Sequence, residues 1–285
     1  MINETYHRRQ MQFPNIGRQG QDYLRNSSVL VIGAGGLGSP VLLYLAGAGV
    51  GHIGICDHDT VRVENIHRQI LYSIYDTTYD TTGDNSDGKG NDNQSLKKAD
   101  VAAKRIAAVN PWIKITPIVR EISASNINEI IRPYQLLIDC TDNMQTKFLL
   151  HDEALHSKKD LITAAISLLA GEIHSFLYAS NEEQANLKFG CFHCLWPAGH
   201  NDPDNISNKT SNTSISDGVI GFVPAIIGAM QGLEALKVLL KWNNKLRPDE
   251  TLSVNLSSME ITKLYRVKNN SCRFCLLYQK KKANE

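Results

Sequence analysis

Three glycines at fixed spacing give the first sign of chemistry in this sequence of 285 residues. Gly33, Gly35 and Gly38 match the pattern G-x-G-x-x-G, directly after the apolar run Ser28 to Ile32. Glycine lets the backbone approach a phosphate closely, and the amino end of a helix favours an anion. Asp57 follows nineteen residues after Gly38, the usual position of an acid that accepts hydrogen bonds from ribose hydroxyls. The segment therefore predicts a nucleotide-binding turn, and a tight turn without a ligand is the alternative.

Polar side chains cluster shortly after this acid. Asn65, Arg68 and Gln69 all lie within twelve residues of Asp57. A dinucleotide dehydrogenase does not need such a cluster, whereas guanidinium and amide donors can hold the oxygens of a triphosphate and offset charge during its transfer. The cluster therefore favours ATP over NAD, with a plain polar surface loop as the other interpretation.

Two C-x-x-C pairs predict a metal site. Cys191 and Cys194 form the first pair, and Cys272 and Cys275 form the second. Four thiolates make a closed tetrahedral zinc site. The pairs lie further apart than in common zinc ribbons, so a redox pair or simple buried thiols are alternatives. We expect His193 not to be a ligand, because four thiolates already complete such a site.

The elements that must position these residues alternate between strand and helix. Strands are predicted at 28–32, 53–57, 113–119, 135–139 and 160–163, and helices at 40–48, 97–110 and 145–156. This alternation predicts an α/β fold with a Rossmann-like, mainly parallel sheet and helices on both faces. Cys56 and Cys140 lie at strand ends and are expected to be core residues rather than nucleophiles.

The last third of the chain has a different pattern. Residues 172–178 and 251–267 alternate like half-buried strands, so we expect an antiparallel extension. A helix is predicted at 229–242, with the face that carries Met230, Leu233 and Leu240 turned towards the core. We therefore expect one domain over 1–285, with a nucleotide-binding half at 1–165 and an antiparallel, zinc-binding part at 166–285.

Composition excludes several classes of protein. The net charge is +1, so a dedicated nucleic-acid partner is not expected. No run of about 18 apolar residues exists and the first residues lack an apolar signal region, so we expect a cytoplasmic protein without a membrane partner. Residues 76–95 contain no Ile, Leu, Val, Met or Phe, and we expect this polar insertion to form no core of its own.

The motifs together resemble those of the ThiF/MoeB family, the bacterial relatives of ubiquitin-activating enzymes. The matching pieces extend over nearly the whole chain, and the wording at 44–51 and 194–197 is most similar to ThiF. They are Arg9-Gln10, Gly33 to Gly38, Asp57-His58-Asp59, Asn65 to Gln69, Lys98-Ala99, Asp139 to Asn143 and the two C-x-x-C pairs. Each motif alone is weak, but their order and spacing are specific.

The resemblance implies a homodimeric enzyme that uses Mg-ATP to adenylate the C-terminal carboxylate of a small ubiquitin-like sulfur-carrier protein in thiamine or molybdopterin synthesis. Carried over by position, Gly36 would contact the nucleotide, Asp57 the ribose, and Arg9 the active site of the partner subunit. Asn65, Arg68 and Lys98 would hold the phosphates, and Asp142 would organise Mg²⁺. Asp59, Gln69 and Asn143 complete the expected nucleotide-binding set. The four cysteines would hold a structural Zn²⁺.

Two of these implications have alternatives. Asp142 precedes a predicted helix, where Asp is a favoured cap, so it could serve that purpose instead of, or besides, Mg²⁺ binding. Many family members carry a cysteine in the loop before 218–221, whereas here Ser214 stands at that position. No cysteine occurs between Cys194 and Cys272. We therefore expect an enzyme that stops at the acyl-adenylate.

Other functions stay open. An enzyme that adenylates a ribosomal natural-product peptide fits the missing cysteine, although Arg9 lies too early for a preceding peptide-binding domain. No rhodanese-like segment follows Cys275. An NAD-dependent oxidoreductase would fit the glycine turn. An inactive scaffold subunit is the last alternative, and the presence of Arg9, Arg68, Lys98 and Asp142 argues against it.

Overall fold

The computed structural model describes residues 2–77, 95–179, 187–197 and 218–283, and its strands form one sheet. The strands are β1 (Ser28–Ile32), β2 (His52–Cys56), β3 (Lys114–Ile118), β4 (Leu136–Asp139), β5 (Asp160–Ser167), β6 (Ala170–Phe176), β7 (Glu250–Asn255) and β8 (Glu260–Tyr265). The helices are α1 (Ile2–Met11), α2 (Gly17–Arg25), α3 (Gly38–Ala48), α4 (Lys98–Val109), α5 (Ile127–Ile131), α6 (Met144–His156), α7 (Phe192–Leu195), α8 (Phe222–Leu239) and α9 (Arg273–Ala283).

The eight strands lie in the order β3-β2-β1-β4-β5-β6-β7-β8. The first five are parallel, and the pairs from β5 to β8 are antiparallel. The order reverses between β1 and β4, and ligands bind outside the carboxyl ends of strands at such a switch point. The prediction of a Rossmann-like sheet with an antiparallel extension is confirmed, and the change of direction occurs at β5.

Side chains on alternate positions of the strands build two separate cores. In β1, Val29 and Val31 join the cluster that contains α3 and α4, whereas Leu30 and Ile32 join the cluster that contains α5 and α6. Both faces of the parallel part are therefore covered by helices. The second cluster also includes three of the cysteines that were predicted to bind metal.

The core helix α8 differs from its prediction in start and in orientation. It begins at Phe222, seven residues earlier than expected, and its fully buried positions include Val223, Ile227 and Ala235. Leu233, which was predicted to face the core, is 46% exposed. The packing is set by small residues, since a Cβ atom at Gly228 would lie 2.4 Å from the carbonyl oxygen of Leu37. Apolar spacing alone did not identify this close approach.

Helix α8 is also the one described helix that is long and apolar enough to cross a membrane. Half of its apolar window is buried inside the protein, against β5, β6 and α3. Length and composition of this kind are also typical of a core helix, so they are weak support for a membrane span.

The polar insertion and the loop position of Ser214 lie mostly outside the described residues. The polar insertion 76–95 is described only at its ends, where the Leu96 amide donates to the carbonyl oxygen of Asp76 at 3.2 Å. Ser214 also lies outside the described residues. The strand predicted at 113–119 is confirmed as β3, with Pro117 on the edge strand of the sheet, where proline is tolerated.

Candidate functional site

The glycine turn lies at the carboxyl end of β1, beside the switch point of the sheet. Gly33 has a φ of +88°, and a Cβ atom there would lie 2.8 Å from the carbonyl oxygen of Cys140. A Cβ at Gly38 would lie 2.0 Å from the carbonyl oxygen of Gly33. Only glycine fits these two positions, and the turn brings the backbone to the amino end of α3.

Asp57 holds this turn from the neighbouring strand. It follows β2, it is 9% exposed, and its Oδ2 accepts a hydrogen bond from the Ala34 amide at 2.8 Å. Its Oδ1 accepts from the Asp59 amide at 2.9 Å. Asp57, which is predicted to bind the ribose, therefore also holds the glycine turn and the residues that follow β2.

The segment from Asn65 to Gln69 packs against the glycine turn. The Arg68 guanidinium donates to Asn65 Oδ1. The backbone carbonyl oxygen of Arg68 lies 3.5 Å from the position that a Cβ atom would take at Gly36. Gln69 is 7% exposed and its Nε2 lies 3.4 Å from the place of a Cβ at Gly35. Its Oε1 is buried and has no hydrogen-bond partner among the described residues. A buried acceptor left open beside a glycine turn is expected where a ligand completes the site.

Lys98 and Asp59 form the second polar pair of this region. The Lys98 ammonium lies 2.9 Å from Asp59 Oδ2. Burial by itself raises the pKa of Asp59. The hydrogen bond and the charge of Lys98 lower the pKa, and together with smaller charge effects they outweigh burial, so the pKa of Asp59 lies below its ordinary value. Asp59 is therefore ionised at neutral pH and holds the ammonium beside the residues that follow β2.

Tyr72 connects the two sides of the site. Its hydroxyl donates to the carbonyl oxygen of Ala34 at 2.7 Å and lies 3.4 Å from the carbonyl oxygen of Lys98. Burial raises its pKa, so the hydroxyl stays protonated. Tyr72 is a residue that the sequence reasoning missed, because a single tyrosine after an apolar pair carries no motif.

The amino end of α8 closes the site from another direction. Pro224 of its first turn lies 3.0 Å from the place of a Cβ at Gly36. A Cβ at Gly221 would lie 2.5 Å from the carbonyl oxygen of His67. The first residues of α8 therefore contact both the glycine turn and the Asn65–Gln69 segment.

Asp142 lies in the loop after β4, across the switch point from the glycine turn. It is exposed and has no hydrogen bond or ion pair to the rest of the described chain. The cap of α6 is Asn143, whose Oδ1 accepts from the Thr146 amide at 2.8 Å. The alternative in which Asp142 caps the helix is therefore wrong, and its carboxylate is available to a metal. Asn143 already uses its amide oxygen as the cap.

Arg9 is not brought to this site by its own chain. It is exposed on α1, and α1 packs at the carboxyl end of α3, where Gln10 donates to the carbonyl oxygen of Ala48 at 2.9 Å. The glycine turn borders the opposite end of this eleven-residue helix, about 16 Å away.

The four predicted cysteines come together at one point. Sγ distances are 3.7 Å for Cys191–Cys194, 3.8 Å for Cys191–Cys272, 3.6 Å for Cys194–Cys275 and 3.3 Å for Cys191–Cys275. A tetrahedron of four Zn–S bonds has edges of about 3.8 Å, so the spacing fits zinc. Hydrogen bonds from Cys191 and Cys275 lower the pKa of Cys194, and bonding within the cluster raises that of Cys191. Four thiolates at these distances would repel one another, and a bound Zn²⁺ would offset that repulsion.

His193 lies beside this cluster but outside it. Its Nε2 contacts Asp152 Oδ1 at 2.6 Å, and its ring stacks between those of Phe148 and Phe274, with centroids at 4.5 and 4.2 Å. Cys56 and Cys140 are also apart from the cluster, and both are buried. These placements agree with the sequence predictions for the three residues.

The whole chain is similar to proteins of known family. The sequence model of the ThiF family matches residues 7–274. A sulfur carrier protein adenylyltransferase of Thermus thermophilus is 36% identical over 237 residues, which cover 83% of this chain and 78% of that protein. A probable molybdopterin-synthase adenylyltransferase of Porphyra purpurea is 35% identical over 85% of this chain, which spans 56% of that protein.

Solved structures show the same fold at lower identity. The crystal structure of E. coli MccB with AMPCPP and MccA has a TM-score of 0.73 and 20% sequence identity. The match covers 96% of this chain and 74% of that chain. At this identity the similarity concerns the fold alone.

Proposed function

Because the chain belongs to the ThiF family, we propose that it is an ATP-dependent adenylyltransferase that activates the C-terminal carboxylate of a ubiquitin-like sulfur-carrier protein. The names of the Thermus and Porphyra relatives support this substrate class. The observation that carries the proposal is the position of two cations around the glycine turn. Arg68 lies on a segment that contacts the turn, and the Lys98 carbonyl oxygen is linked to the turn through the Tyr72 hydroxyl. We propose that the enzyme is cytoplasmic, with residues 1–285 acting as one adenylation domain.

The reaction joins two anions, and this determines what the residues must do. A carboxylate oxygen of the carrier attacks the α-phosphorus of ATP, the bond to the pyrophosphate oxygen breaks, and pyrophosphate leaves with the electron pair. The carboxylate is already a nucleophile, so no general base is needed. The barrier lies in bringing the anions together and in stabilising charge on the α-phosphate and on pyrophosphate.

The side chains of this chain supply that stabilisation. Arg68, supported by Asn65, and Lys98, held by Asp59, would bind phosphate oxygens. Asp57 and the glycine turn would hold the ribose and the adenosine end, with Gln69 Oε1 as a further open acceptor. Asp142 would hold Mg²⁺, which offsets phosphate charge when it is bound. These roles belong to the proposal.

Two further parts of the proposal concern the assembly and the zinc. The exposed Arg9, distant from its own glycine turn, suits a role in the site of a second copy, so we propose a homodimer. The Cys191, Cys194, Cys272 and Cys275 cluster would hold one structural Zn²⁺.

The decisive experiment is ATP–pyrophosphate exchange by the purified protein with a ubiquitin-like carrier that ends in Gly-Gly. We expect exchange with the free carboxylate and none with the same carrier amidated at its C-terminus. An Arg68→Met variant should lose exchange, whereas Arg62→Met, an exposed arginine on the same segment, should keep it. Exchange that is independent of any carrier would contradict the proposal.

One observation favours a second substrate class. No cysteine occurs between Cys194 and Cys272, so the chain lacks a loop thiol that would accept the activated acyl group. An enzyme that adenylates a ribosomal natural-product peptide has no need of that thiol. Failure of exchange with several carriers, while ATP still binds, would favour this alternative.

A further inference from the structure

A buried ion pair lies directly beneath the loop that carries Asp142. Lys147 Nζ is 2.9 Å from Asp139 Oδ2, and the two side chains are 5% and 0% exposed. In every other lysine or arginine ion pair among the described residues, at least one side chain is more than 10% exposed. The sequence reasoning gave no role to either residue.

Asp139 uses its two carboxylate oxygens for different tasks. Oδ1 accepts from the amide and the hydroxyl of Thr141, at 2.9 and 2.7 Å, and so turns the chain as it leaves β4. Oδ2 accepts from the Thr163 hydroxyl of the neighbouring strand at 2.6 Å, and from Lys147. The start of the Asp142 loop is therefore fixed to the end of the sheet.

Lys147 fixes the other end of the same loop. It lies in α6, one turn after Asn143, which caps the helix. Its ammonium also donates to the carbonyl oxygen of Ala164 at 2.8 Å, with the Thr163 hydroxyl at 3.3 Å. The first turn of α6 is thereby tied to β4 and β5, and residues 140–143 lie between two anchored points.

The cost of burying two charges indicates that this ion pair contributes more to positioning the backbone than to the free energy of unfolding. Moving two charges out of water is costly, and well-packed apolar residues in place of a buried pair often give equal or greater stability. Here the hydrogen bonds of the pair join the end of β4, the first turn of α6 and β5, and so hold both ends of the loop that carries Asp142. We propose that Lys147 is a positioning residue, which acts with Asp139 to hold the 140–143 loop so that the Asp142 carboxylate is in place for Mg-ATP. This inference rests on the proposed function.

The test replaces Lys147 by methionine, which keeps length and removes charge. Hydrogen–deuterium exchange should become faster at residues 141–144, because Asp139, the acceptor of the Thr141 amide, loses one of the two donors that hold its other oxygen. The Mg²⁺ concentration for half-maximal ATP–pyrophosphate exchange should rise by about tenfold or more, as is typical when support of a metal ligand is lost. The matched control is Leu150→Ala, a fully buried residue of the same helix in the same core. It should lose thermal stability while both loop readouts stay unchanged.

A second variant covers the case in which the unpaired Asp139 prevents folding. Asp139→Asn combined with Lys147→Met is neutral, so it leaves no buried charge, and it should show the same two changes. A folded variant with wild-type deuterium exchange at 141–144 and a wild-type Mg²⁺ requirement would overturn the inference.

Failure of the proposed function gives a different result. A wild-type protein without carrier-dependent exchange would contradict the adenylation proposal. The role of Lys147 would then still be decided by deuterium exchange and by calorimetric titration of Mg²⁺ into the ATP-bound protein, compared between wild type, Lys147→Met and Leu150→Ala.

Discussion

The Lys98 ammonium lies 2.9 Å from Asp59 Oδ2, across a sequence separation of thirty-nine residues. The Lys98 side chain is 6% exposed and that of Asp59 is 53% exposed, so the cation is enclosed and its partner faces solvent. The backbone repeats the contact, since the Lys98 amide donates to the carbonyl oxygen of Asp59 at 3.0 Å. The start of α4 is thereby fixed beside the residues that follow β2.

Replacing Lys98 by methionine removes this enclosed cation. We expect carrier-dependent ATP–pyrophosphate exchange to fall by about 10²–10³-fold, the usual effect of losing one preorganised donor to a developing charge. The control is Lys97→Met, because Lys97 is exposed and, within the described residues, its ammonium donates to the carbonyl oxygen of His58 and not to Asp59. Equal losses in the two variants would contradict a specific role for Lys98.

Replacing Tyr72 by phenylalanine removes one hydroxyl behind the glycine turn. Because that hydroxyl donates to the carbonyl oxygen of Ala34, its loss should loosen the turn and weaken ATP binding about fivefold, which corresponds to one hydrogen bond of about 1 kcal/mol. Isothermal titration calorimetry measures the change. Tyr75→Phe provides the control, since Tyr75 is 84% exposed nearby. Unchanged ATP affinity in Tyr72→Phe would remove Tyr72 from the site.

Arg9 allows a test of the assembly through mixed dimers. The Arg9→Ala and Lys98→Met variants should each be inactive, because each lacks one group of every site. If Arg9 acts in the partner's site, mixing the two with subunit exchange should restore about a quarter of wild-type exchange activity, since half of the dimers would contain one intact site. Activity that stays at the level of the single variants after confirmed subunit exchange would place Arg9 outside the partner's site.

Zinc content and thermal stability test the cysteine cluster. A Cys275→Ser variant should lose the one zinc per chain that elemental analysis should find in the wild type. Its melting temperature should fall by about 5 °C or more, because each kcal/mol of lost stability shifts the melting temperature by about 2–4 °C in chains of this size. Cys56→Ala should retain zinc, since Cys56 is buried elsewhere and donates to the carbonyl oxygen of Arg120. A wild-type protein purified without metal would contradict a zinc site.

The local pattern of apolar residues predicted those elements of the fold that form mainly by burial of hydrophobic side chains. The apolar run before Gly33 became β1 as predicted, because a parallel strand buried on both faces reads as a continuous hydrophobic segment. The prediction failed at α8, where the buried face is chosen by contact between Gly228 and α3. Hydrophobic spacing does not record how closely two backbones approach, so Leu233 was assigned to the wrong face.

The sequence predicted the residues expected to bind substrate or metal better than it predicted the residues that position them. The glycine turn, Asp57, Arg68, Lys98 and the cysteine pairs all carry recognisable spacing, and the structure brings the four cysteines within bonding distance of one metal ion. Tyr72 and the Asp139–Lys147 pair carry no such signal. Their roles depend on contacts between segments that are far apart in the sequence, and a single sequence does not report these contacts.

The sequence by itself determined the family, the glycine turn after β1 and the four cysteines that come together, because each depends on residue type at short spacing. Only the tertiary structure decided that Asn143 rather than Asp142 caps α6, and that α1, which carries Arg9, packs at the end of α3 opposite to the glycine turn. It also decided that a buried ion pair lies at the two ends of the Asp142 loop. The physical reason is that hydrogen bonds and charges between distant segments form only when the sheet aligns the ends of its strands.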